Sequence, residues 1–379
     1  MTTTDTTPAG SPPTTDTPAS LPERSVIDAT IKEVTDHATR IFTWSYDRDR
    51  SQLVTLYNKA MASQWNSMTD LDWTTSVDPI ELVDREGPVM QLMRATAKVK
   101  GSPIASWSDK EFDALGVEML KAQLSQFMHG EQGAMLTAAK IVETVPWIDA
   151  KYYAATQTMD EARHTEVFAK YLHTKIGDHY PMSPFLEEQI TALMEDGRWD
   201  IAYLGMQIVI ESLALAAFGD MLRRTQEPLL RKLLRYVLSD EARHVAFGVL
   251  SLGEFYRQLS AAELKERQDF LLENTMRARS RSTTPEVWER MGVGLEELLP
   301  ALHEAAGQIK VSPFVSFQRG FFAKLVPNVR KLGLLDANNG YLREEWGKVG
   351  LLEFEFADDT GTDYESYDAV AEDRARATA

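Results

Sequence analysis

The sequence predicts an all-α protein whose core is a four-helix bundle, with additional helices at its N- and C-terminal ends. Long stretches of apolar residues recur with the helical period and are separated by short segments that contain Pro or Gly, whereas strand-like alternation is scarce. The chain has 379 residues, of which 44% are apolar and 26% are charged, so it can bury a large core. This composition excludes a chain that is disordered throughout.

Four long helices are expected in the core, and three of them have a proline that suits a first turn, at Pro146, Pro184 and Pro228. The predicted helices cover about residues 109–143, 146–175, 184–224 and 228–259. The expected organisation is a disordered tail at 1–21, an N-terminal helical extension at 22–108, the core at 109–260, a C-terminal helical extension at 261–352 and an acidic disordered tail at 353–379. The last segment is expected to be solvated because residues 353–373 include nine acidic residues and no basic one.

Composition and charge exclude several kinds of site and partner. The absence of cysteine removes disulfides, thiolate zinc sites, iron–sulfur clusters and cysteine nucleophiles. A net charge of −17 offers no basic surface for nucleic acid. The apolar segment 201–219 has the length of a membrane span, but Glu211 in its middle favours a helix buried in a bundle. Residues 1–20 lack the basic start and apolar stretch of a secretory signal, so we expect a cytoplasmic protein with no nucleic-acid or membrane partner.

A short motif occurs twice in the predicted core. The pentapeptide Asp-Glu-Ala-Arg-His is found at 160–164 and again, 80 residues later, at 240–244. Each copy is preceded by a Glu with 28 residues between them, Glu131 in the first half and Glu211 in the second. The remaining residues of the two halves differ, so the repeat is not a low-complexity sequence.

The spacing of this repeat predicts a metal site. The Glu and the His of each pentapeptide are three residues apart and therefore share one helix face. Chain reversals near Pro146 and Gln226 would bring the upstream Glu of each half to the same depth in the bundle. Buried carboxylates and imidazoles need compensating charge, and two divalent cations supply it; without thiolates, this set suits iron or manganese. The candidate metal ligands are Glu131, Glu161, His164, Glu211, Glu241 and His244.

The residues beside these ligands predict a supporting hydrogen-bond network. Metal-bound imidazoles usually donate their second N–H to a carboxylate. Asp160 lies at position i−4 from His164, and Asp240 has the same place in the second half. We predict that Asp160 contacts His244, that Asp240 contacts His164, and that Arg163 and Arg243 are charge partners of the two aspartates.

At these residues the chain resembles the ferritin-like di-iron carboxylate superfamily, over about residues 109–260, in the branch of bacterial di-iron oxygenases and oxidases. The resemblance implies iron that activates O₂ and metal ligation by the six residues named above. The small subunit of ribonucleotide reductase looks similar, but this chain has Glu131 where that family has an Asp ligand and Phe168 where it has a radical Tyr.

Two other groups share the paired motif. Bacterial multicomponent monooxygenases place a Thr where this chain has Leu215, and arylamine N-oxygenases carry an additional His ligand where this chain has Val237. The missing His favours oxidation of a carbon centre over N-oxygenation.

The function predicted from the sequence is that of a di-iron oxygenase or oxidase that uses O₂ to hydroxylate or desaturate a small apolar organic molecule. The alternatives are an arylamine or amine N-oxygenase and a ferroxidase or metal-handling protein without an organic substrate. We expect two iron ions, with manganese or a mixed Mn/Fe pair as alternatives, an external electron donor such as a ferredoxin or a reductase, and a homodimer. Residues one turn from Glu131 and Glu211 are expected to line the substrate pocket: Phe127, Met128, Ala134, Met135, Gln207, Ile208, Ala214 and Leu215.

Overall fold

The computed structural model describes residues 32–279, 285–308, 313–358 and 368–378. Helices are the regular structure in these ranges, which contain no β-strand. The all-α class predicted from the sequence is therefore confirmed. The N-terminal tail expected at residues 1–21 lies outside the described residues.

Four helices form the core of the unit that spans Asp36–Ala379. Their bounds are Asp109–Thr144 for α3, Ile148–Tyr171 for α4, Trp199–Arg224 for α6 and Pro228–Tyr256 for α7. Helix α3 packs along α4, α6 packs along α7, and α4 also contacts α7. The two halves of the motif repeat therefore form two helix pairs that face each other.

Shorter helices surround the core. The bounds of these helices are Ser51–Ala62 for α1, Pro88–Lys98 for α2, Pro184–Glu195 for α5, Ala261–Arg279 for α8, Pro285–Arg290 for α9, Leu295–Gln308 for α10, Pro313–Lys331 for α11, Ala337–Lys348 for α12 and Ala369–Thr378 for α13. Short 3₁₀ turns lie at Pro79–Leu82 and Leu351–Phe354.

Local sequence explains where the core helices begin. Ser108 and Glu111 form a reciprocal capping box at the start of α3. Pro228 is the first residue of α7, and the side chain of Glu227 accepts hydrogen bonds from the free backbone N–H groups of the first turn. These caps fix the start of two ligand-bearing helices.

The prediction of one continuous helix over 184–224 is wrong, because the chain breaks between α5 and α6. The Asp196 side chain accepts a hydrogen bond from the backbone N–H of Arg198 at 2.9 Å, which stabilises a turn there. The buried ammonium of Lys140 donates to the Met194 and Asp196 carbonyl oxygens at 2.7 and 2.5 Å and so caps the end of α5. Helix α5 therefore ends against α3, and the third helix of the bundle, α6, begins only at Trp199.

Helix α6 carries the apolar segment that is long enough to span a membrane. Its most apolar window is 89% buried inside the protein, as expected for a core helix. The stretch Leu204–Ile210 within it is a π-helix that ends immediately before Glu211. Such widened turns occur preferentially at functional sites.

The prediction of a disordered tail at 353–379 is wrong for residues 369–378, which form α13. Ala369 and Val370 are fully buried in an apolar cluster with Trp65, and Arg235 of α7 pairs with Glu372 and Asp373. We expected this segment to be exposed to solvent because most of its charged residues are acidic. Composition does not show that two of its apolar residues, Ala369 and Val370, pack against α7. Residues 359–367 of the predicted tail lie outside the described ranges.

Candidate metal centre

The structure brings six side chains of the repeat together at one level of the bundle. Each of the four core helices contributes, and each of the six residues is 5% exposed or less. Helix α3 supplies one Glu, α6 supplies one Glu, and α4 and α7 each supply a Glu and a His. The six are Glu131, Glu161, His164, Glu211, Glu241 and His244.

Two overlapping groups of ligand atoms are present. In each group, the nitrogen and oxygen atoms that could bind a metal lie within 4.8 Å of one another. The first group is Glu131, Glu161, His164 and Glu241, and the second is Glu161, Glu211, Glu241 and His244. Because Glu161 and Glu241 belong to both groups, they would contribute to both sites of a two-metal centre, and each of the other four residues would contribute to one.

Both imidazoles turn the same nitrogen toward the carboxylates. The Nδ1 atom of His164 lies 3.1 Å from Glu241 Oε1 and 3.2 Å from Glu161 Oε2. The Nδ1 atom of His244 lies 3.1 Å from Glu161 Oε1 and 3.5 Å from Glu241 Oε2. Nδ1 is thus the nitrogen available to a metal, which leaves Nε2 of each ring for a supporting contact.

The hydrogen bonding of this cluster fits a cation site better than a buried polar network. Within the described residues, Glu211 Oε2 is buried without a hydrogen-bond partner, and Glu241 Oε1 and His244 Nδ1 have charged neighbours at 3.1 Å but make no aligned hydrogen bond. Leaving such atoms unpaired is costly in a protein interior. Hard or borderline divalent cations accept this combination of carboxylate oxygen and imidazole nitrogen. The residues therefore fit two metal ions.

Burial and neighbouring charges shift the pKa values of the candidate ligands in the metal-free centre. Burial and the nearby charge of Glu241 raise the pKa of Glu131 well above its usual value. Burial opposes the charged form of both imidazoles, but surrounding carboxylates outweigh it and raise the pKa of His164 and of His244 well above the usual range. Burial also disfavours ionised Glu161, yet the two imidazoles lower its pKa. The metal-free centre thus retains protons, which metal ions would displace.

Each aspartate of the repeat contacts the imidazole of the opposite half. The Nε2 atom of His164 lies 3.0 Å from Asp240 Oδ2, and that of His244 lies 3.4 Å from Asp160 Oδ2. Arg163 bridges the pair, with Nη2 at 2.6 Å from Asp160 Oδ1 and 3.0 Å from Asp240 Oδ2. The fully buried Arg243 donates to Asp240. Burial disfavours ionised Asp240, but Arg243, His164 and Arg163 lower its pKa below the usual range.

Two glutamines hold the carboxylates in place: Gln157, which the sequence analysis did not single out, and Gln207, which it predicted to line the substrate pocket. The Nε2 group of Gln157 donates to Glu161 Oε1 at 2.9 Å and to Glu211 Oε1 at 3.1 Å. Gln207 Nε2 in turn donates to Gln157 Oε1 at 3.2 Å. Gln157 lies one helical turn before Glu161, and this spacing was the available sequence signal.

A second missed contribution comes from the segment after α1. Gln64 Nε2 donates to Asp160 Oδ1 at 2.9 Å, and its Oε1 accepts from Arg163 Nη1 at 2.8 Å. Trp65 Nε1 donates to Asp240 Oδ2 at 2.8 Å, and its indole stacks on the His164 ring at a centroid distance of 6.4 Å. These residues lie about 100 positions from the nearer motif, so no local pattern connects them to it.

The residues predicted to line a pocket are buried or half-buried. The Phe127 ring packs against Phe218 at 4.6 Å and Phe168 at 5.7 Å, and Ala134 packs against the α5 residue Ile190. Gln207 belongs to the hydrogen-bond network described above. The other five, Met128, Met135, Ile208, Ala214 and Leu215, are apolar and at least half-buried, and the pocket stays a prediction.

A small cavity of about 20 Å³ lies on the outer side of α6, with room for about one water molecule. Val209, Ile210 and Leu213 border it from α6, and none of the predicted pocket residues does. Gly133, two residues after Glu131, allows α5 to pack closely on α3. A Cβ atom on Gly133 would lie 2.3 Å from Ile190 Cδ1.

Comparisons with known proteins give a limited result. No protein-family profile and no curated protein matches the sequence. Among solved structures, one variant of an R2-like ligand-binding oxidase with an anaerobically reconstituted Mn/Fe cofactor has 16% identity and a TM-score of 0.46, covering 74% of this chain and 92% of that chain. A second variant with the same cofactor has 14% identity and a TM-score of 0.44 over the same shares. Similarity at this level assigns no activity.

The assignment of the centre therefore rests on its own geometry. Two helices contribute one Glu each, and two contribute a Glu and a His three residues later, all directed into a bundle of four helices. This is the ligand arrangement of dinuclear carboxylate proteins with the ferritin-like fold. The chain has a four-helix bundle and, inside it, two overlapping buried groups of carboxylates and imidazoles that could each hold a metal ion.

Proposed function

We propose that this protein is a di-iron oxidoreductase that uses O₂ to oxidise a small apolar organic substrate at carbon, by hydroxylation or desaturation. The observation that carries the proposal is the pair of overlapping four-residue groups that share Glu161 and Glu241. A single structural cation needs no such duplication, whereas two adjacent cations with shared carboxylates do. Manganese or a mixed Mn/Fe pair would suit the same ligands.

The chain's own residues prepare the centre for this chemistry. When bound, two iron ions would supply the capacity to activate O₂, which the amino acids lack. Gln157 holds the shared Glu161 and the terminal Glu211 in a fixed relation through its amide. Asp160 and Asp240 fix the ring planes of the two His residues, so that Nδ1 of each faces the metal position. Near-complete burial of the six ligands keeps bulk water out.

Two features favour a carbon centre over an amine nitrogen. Val237 lies one helical turn before Glu241 and is fully buried in an apolar cluster, so it adds no seventh ligand. The residues that we predict to line a pocket beside the centre are mostly apolar, including Phe127, Leu215 and Ile208. An aromatic or aliphatic substrate matches these surroundings better than a charged one.

The reaction also requires partners that lie outside the chain. Four-electron reduction of O₂ during a two-electron substrate oxidation requires two more electrons, so we propose an external donor such as a ferredoxin or a reductase. We also propose a cytoplasmic homodimer, and its association state is measurable by analytical ultracentrifugation.

The experiment is to load the purified protein anaerobically with ferrous iron, add O₂ with a chemical reductant, and offer arylamines and apolar carbon substrates in parallel. Substrate-dependent formation of hydroxylated or desaturated carbon products supports the proposal. Hydroxylamine or nitro products alone would identify an N-oxygenase instead. Oxidation of iron in stoichiometric amounts, with no organic product, would identify a ferroxidase.

A further inference from the structure

Helix α13, at the C-terminal end of the described chain, is docked against the side of the bundle next to the metal centre. Its first two residues, Ala369 and Val370, are 0% and 1% exposed and belong to the same apolar cluster as Trp65. The backbone N–H of Ala369 donates to the hydroxyl of the buried Ser239 at 2.9 Å. The start of α13 is thus fixed to α7.

Ion pairs hold the middle of α13 on the same surface. Arg235 of α7 lies 3.1 Å from Asp373 Oδ1 through Nη1 and 3.1 Å from Glu372 Oε2 through Nη2. The phenol of Tyr236 lies 3.2 Å from Asp373 Oδ2. Burial, together with the charge of this carboxylate and the hydrogen bond to it, raises the pKa of Tyr236 to about 12, so the phenol keeps its proton.

The same helix also holds the end of α1. Arg374 donates from Nη1 to the carbonyl oxygen of Ala62 at 3.1 Å and from Nη2 to that of Gln64 at 2.6 Å. Asp368 accepts a hydrogen bond from the Ser63 hydroxyl. The last carbonyl groups of a helix have no partner within it, and the Arg374 guanidinium binds the last one of α1, at Ala62, together with the carbonyl of Gln64 just beyond the helix.

The segment that Arg374 holds is the one that reaches the metal centre. Residues 64–66 have no regular secondary structure, so the helical ladder of α1 does not fix them. Gln64 contacts Asp160 and Arg163 through its side chain, and Trp65 contacts Asp240 and stacks on His164. Arg374 thus binds the backbone of the segment whose next side chains reach the two aspartates: Gln64 contacts Asp160, and Trp65 contacts Asp240.

We infer that α13 is a positioning element of the metal centre, and that Arg374 is the residue through which it acts. By binding the carbonyl groups of Ala62 and Gln64, Arg374 fixes the backbone from which the Gln64 amide and the Trp65 indole reach Asp160 and Asp240. The inference rests on the proposed metal centre and adds a contribution from the far end of the chain. Loss of Arg374 should loosen the metals without removing any ligand or any residue that contacts one.

The chain offers a matched control on the same helix. Arg376 is 72% exposed, and its nearest acidic partners, Glu372 and Asp373, lie on α13 itself at 3.9 and 3.8 Å. Arg376→Ala removes the same charge and the same side-chain length as Arg374→Ala, but none of the contacts to α1. Arg374→Lys keeps a donor in reach of the carbonyl groups and serves as the conservative variant.

The experiment uses the full chain and two readouts. Hydrogen exchange of residues 62–66 is measured in the metal-free protein, and the rate at which a ferrous chelator removes iron is measured in protein loaded under argon. For Arg374→Ala we expect faster exchange and iron release about 10-fold faster, the lower end of the range for residues that support metal ligands. Arg376→Ala should match the wild type, and Arg374→Lys should recover part of the loss.

The outcomes separate this inference from the proposed function. If hydrogen exchange of residues 62–66 is unchanged in Arg374→Ala, Arg374 does not fix this segment. If exchange is faster but the rate of iron release is unchanged, Arg374 fixes the segment but does not support the metal centre. A wild-type protein that takes up no iron would contradict the metal centre itself, and with it the role of α13. Circular dichroism confirms in each case that the bundle is intact.

Discussion

Asp240 accepts a hydrogen bond from Nε2 of His164 at 3.0 Å, although the two residues lie 76 positions apart on different helices of the bundle. In the equivalent contact the roles of the two helices are exchanged: α4 supplies the aspartate, Asp160, and α7 supplies the imidazole, His244. The two pentapeptides therefore support each other: each provides two candidate metal ligands, a Glu and a His, and orients the imidazole of the other half. This arrangement predicts that neither half can hold its metal alone.

The two aspartates should contribute unequally to metal binding. Asp240 accepts from His164, Trp65 and both arginines of the motif, whereas Asp160 accepts from His244, Arg163 and Gln64. We expect Asp240→Asn and Asp160→Asn to weaken metal affinity by about 10- to 100-fold, with the larger loss in Asp240→Asn. Competition against a chelator measures this. Two variants with wild-type affinity would show that these contacts do not orient the ligands.

The amide of Gln157 should control how the carboxylates are held. Replacement by Leu keeps the volume but removes the donors to Glu161 and Glu211. We expect Gln157→Leu to reduce metal affinity by about 10-fold and to change the visible absorption of the iron-loaded protein. Gln207→Leu is the comparison variant, because Gln207 contacts Gln157 and not a ligand, so its effect should be smaller. Equal effects of the two variants would contradict the role given to Gln157.

The two glycines beside Glu131 should respond differently to a methyl group. A Cβ atom on Gly133 would lie 2.3 Å from Ile190 Cδ1, whereas the nearest atom to one on Gly130 is Leu186 Cδ2 at 4.0 Å. We expect Gly133→Ala to lower the free energy of unfolding by about 1–3 kcal/mol through overpacking. Gly130→Ala should be neutral or stabilise by up to about 1 kcal/mol, because alanine favours the helix. Chemical denaturation measures both, and equal values would contradict the close packing of α5 on α3.

The pH dependence of stability should reverse when metal binds. In the metal-free protein, the pKa of His164, His244 and Glu131 is raised, so the folded state binds more protons than the unfolded state. The imidazoles therefore stabilise the fold fully below their unfolded pKa of about 6.5, and this stability is lost as the pH rises through their folded pKa. Metal ions replace these protons, so the loaded protein should instead lose its metal as the pH falls.

Thermal unfolding between neutral and mildly alkaline pH checks this prediction. With a chelator present, the midpoint temperature should fall as the pH rises, and with ferrous iron under argon it should not. A metal-free protein that becomes more stable toward alkaline pH would contradict the protonated state of the centre.

The parts of the structure that could be predicted from the sequence are those set by helical periodicity. Six candidate ligands and the two cross-contacts of Asp160 and Asp240 follow from residue spacing within helices and from chain reversals between them. Spacing could not reveal Gln64, Trp65 or Arg374, because their contacts depend on how distant segments dock. It also missed the turn at Asp196, where a buried Lys140 on another helix binds the end of α5. The prediction of a disordered tail was wrong at α13 because the composition of a segment does not show whether individual side chains, here Ala369 and Val370, fit a surface elsewhere in the protein.

The measurement that tests the metal centre most directly is the iron content of protein loaded anaerobically and freed of excess metal. The wild type should hold two iron ions per chain. His164→Ala and His244→Ala should each lose most of the iron while their helix content is unchanged. His129→Ala is the matched control, because His129 lies two residues from Glu131 but contacts the Tyr180 carbonyl at 2.9 Å, and it should keep both ions. One zinc ion per chain, unaffected by either replacement at 164 or 244, would contradict the account.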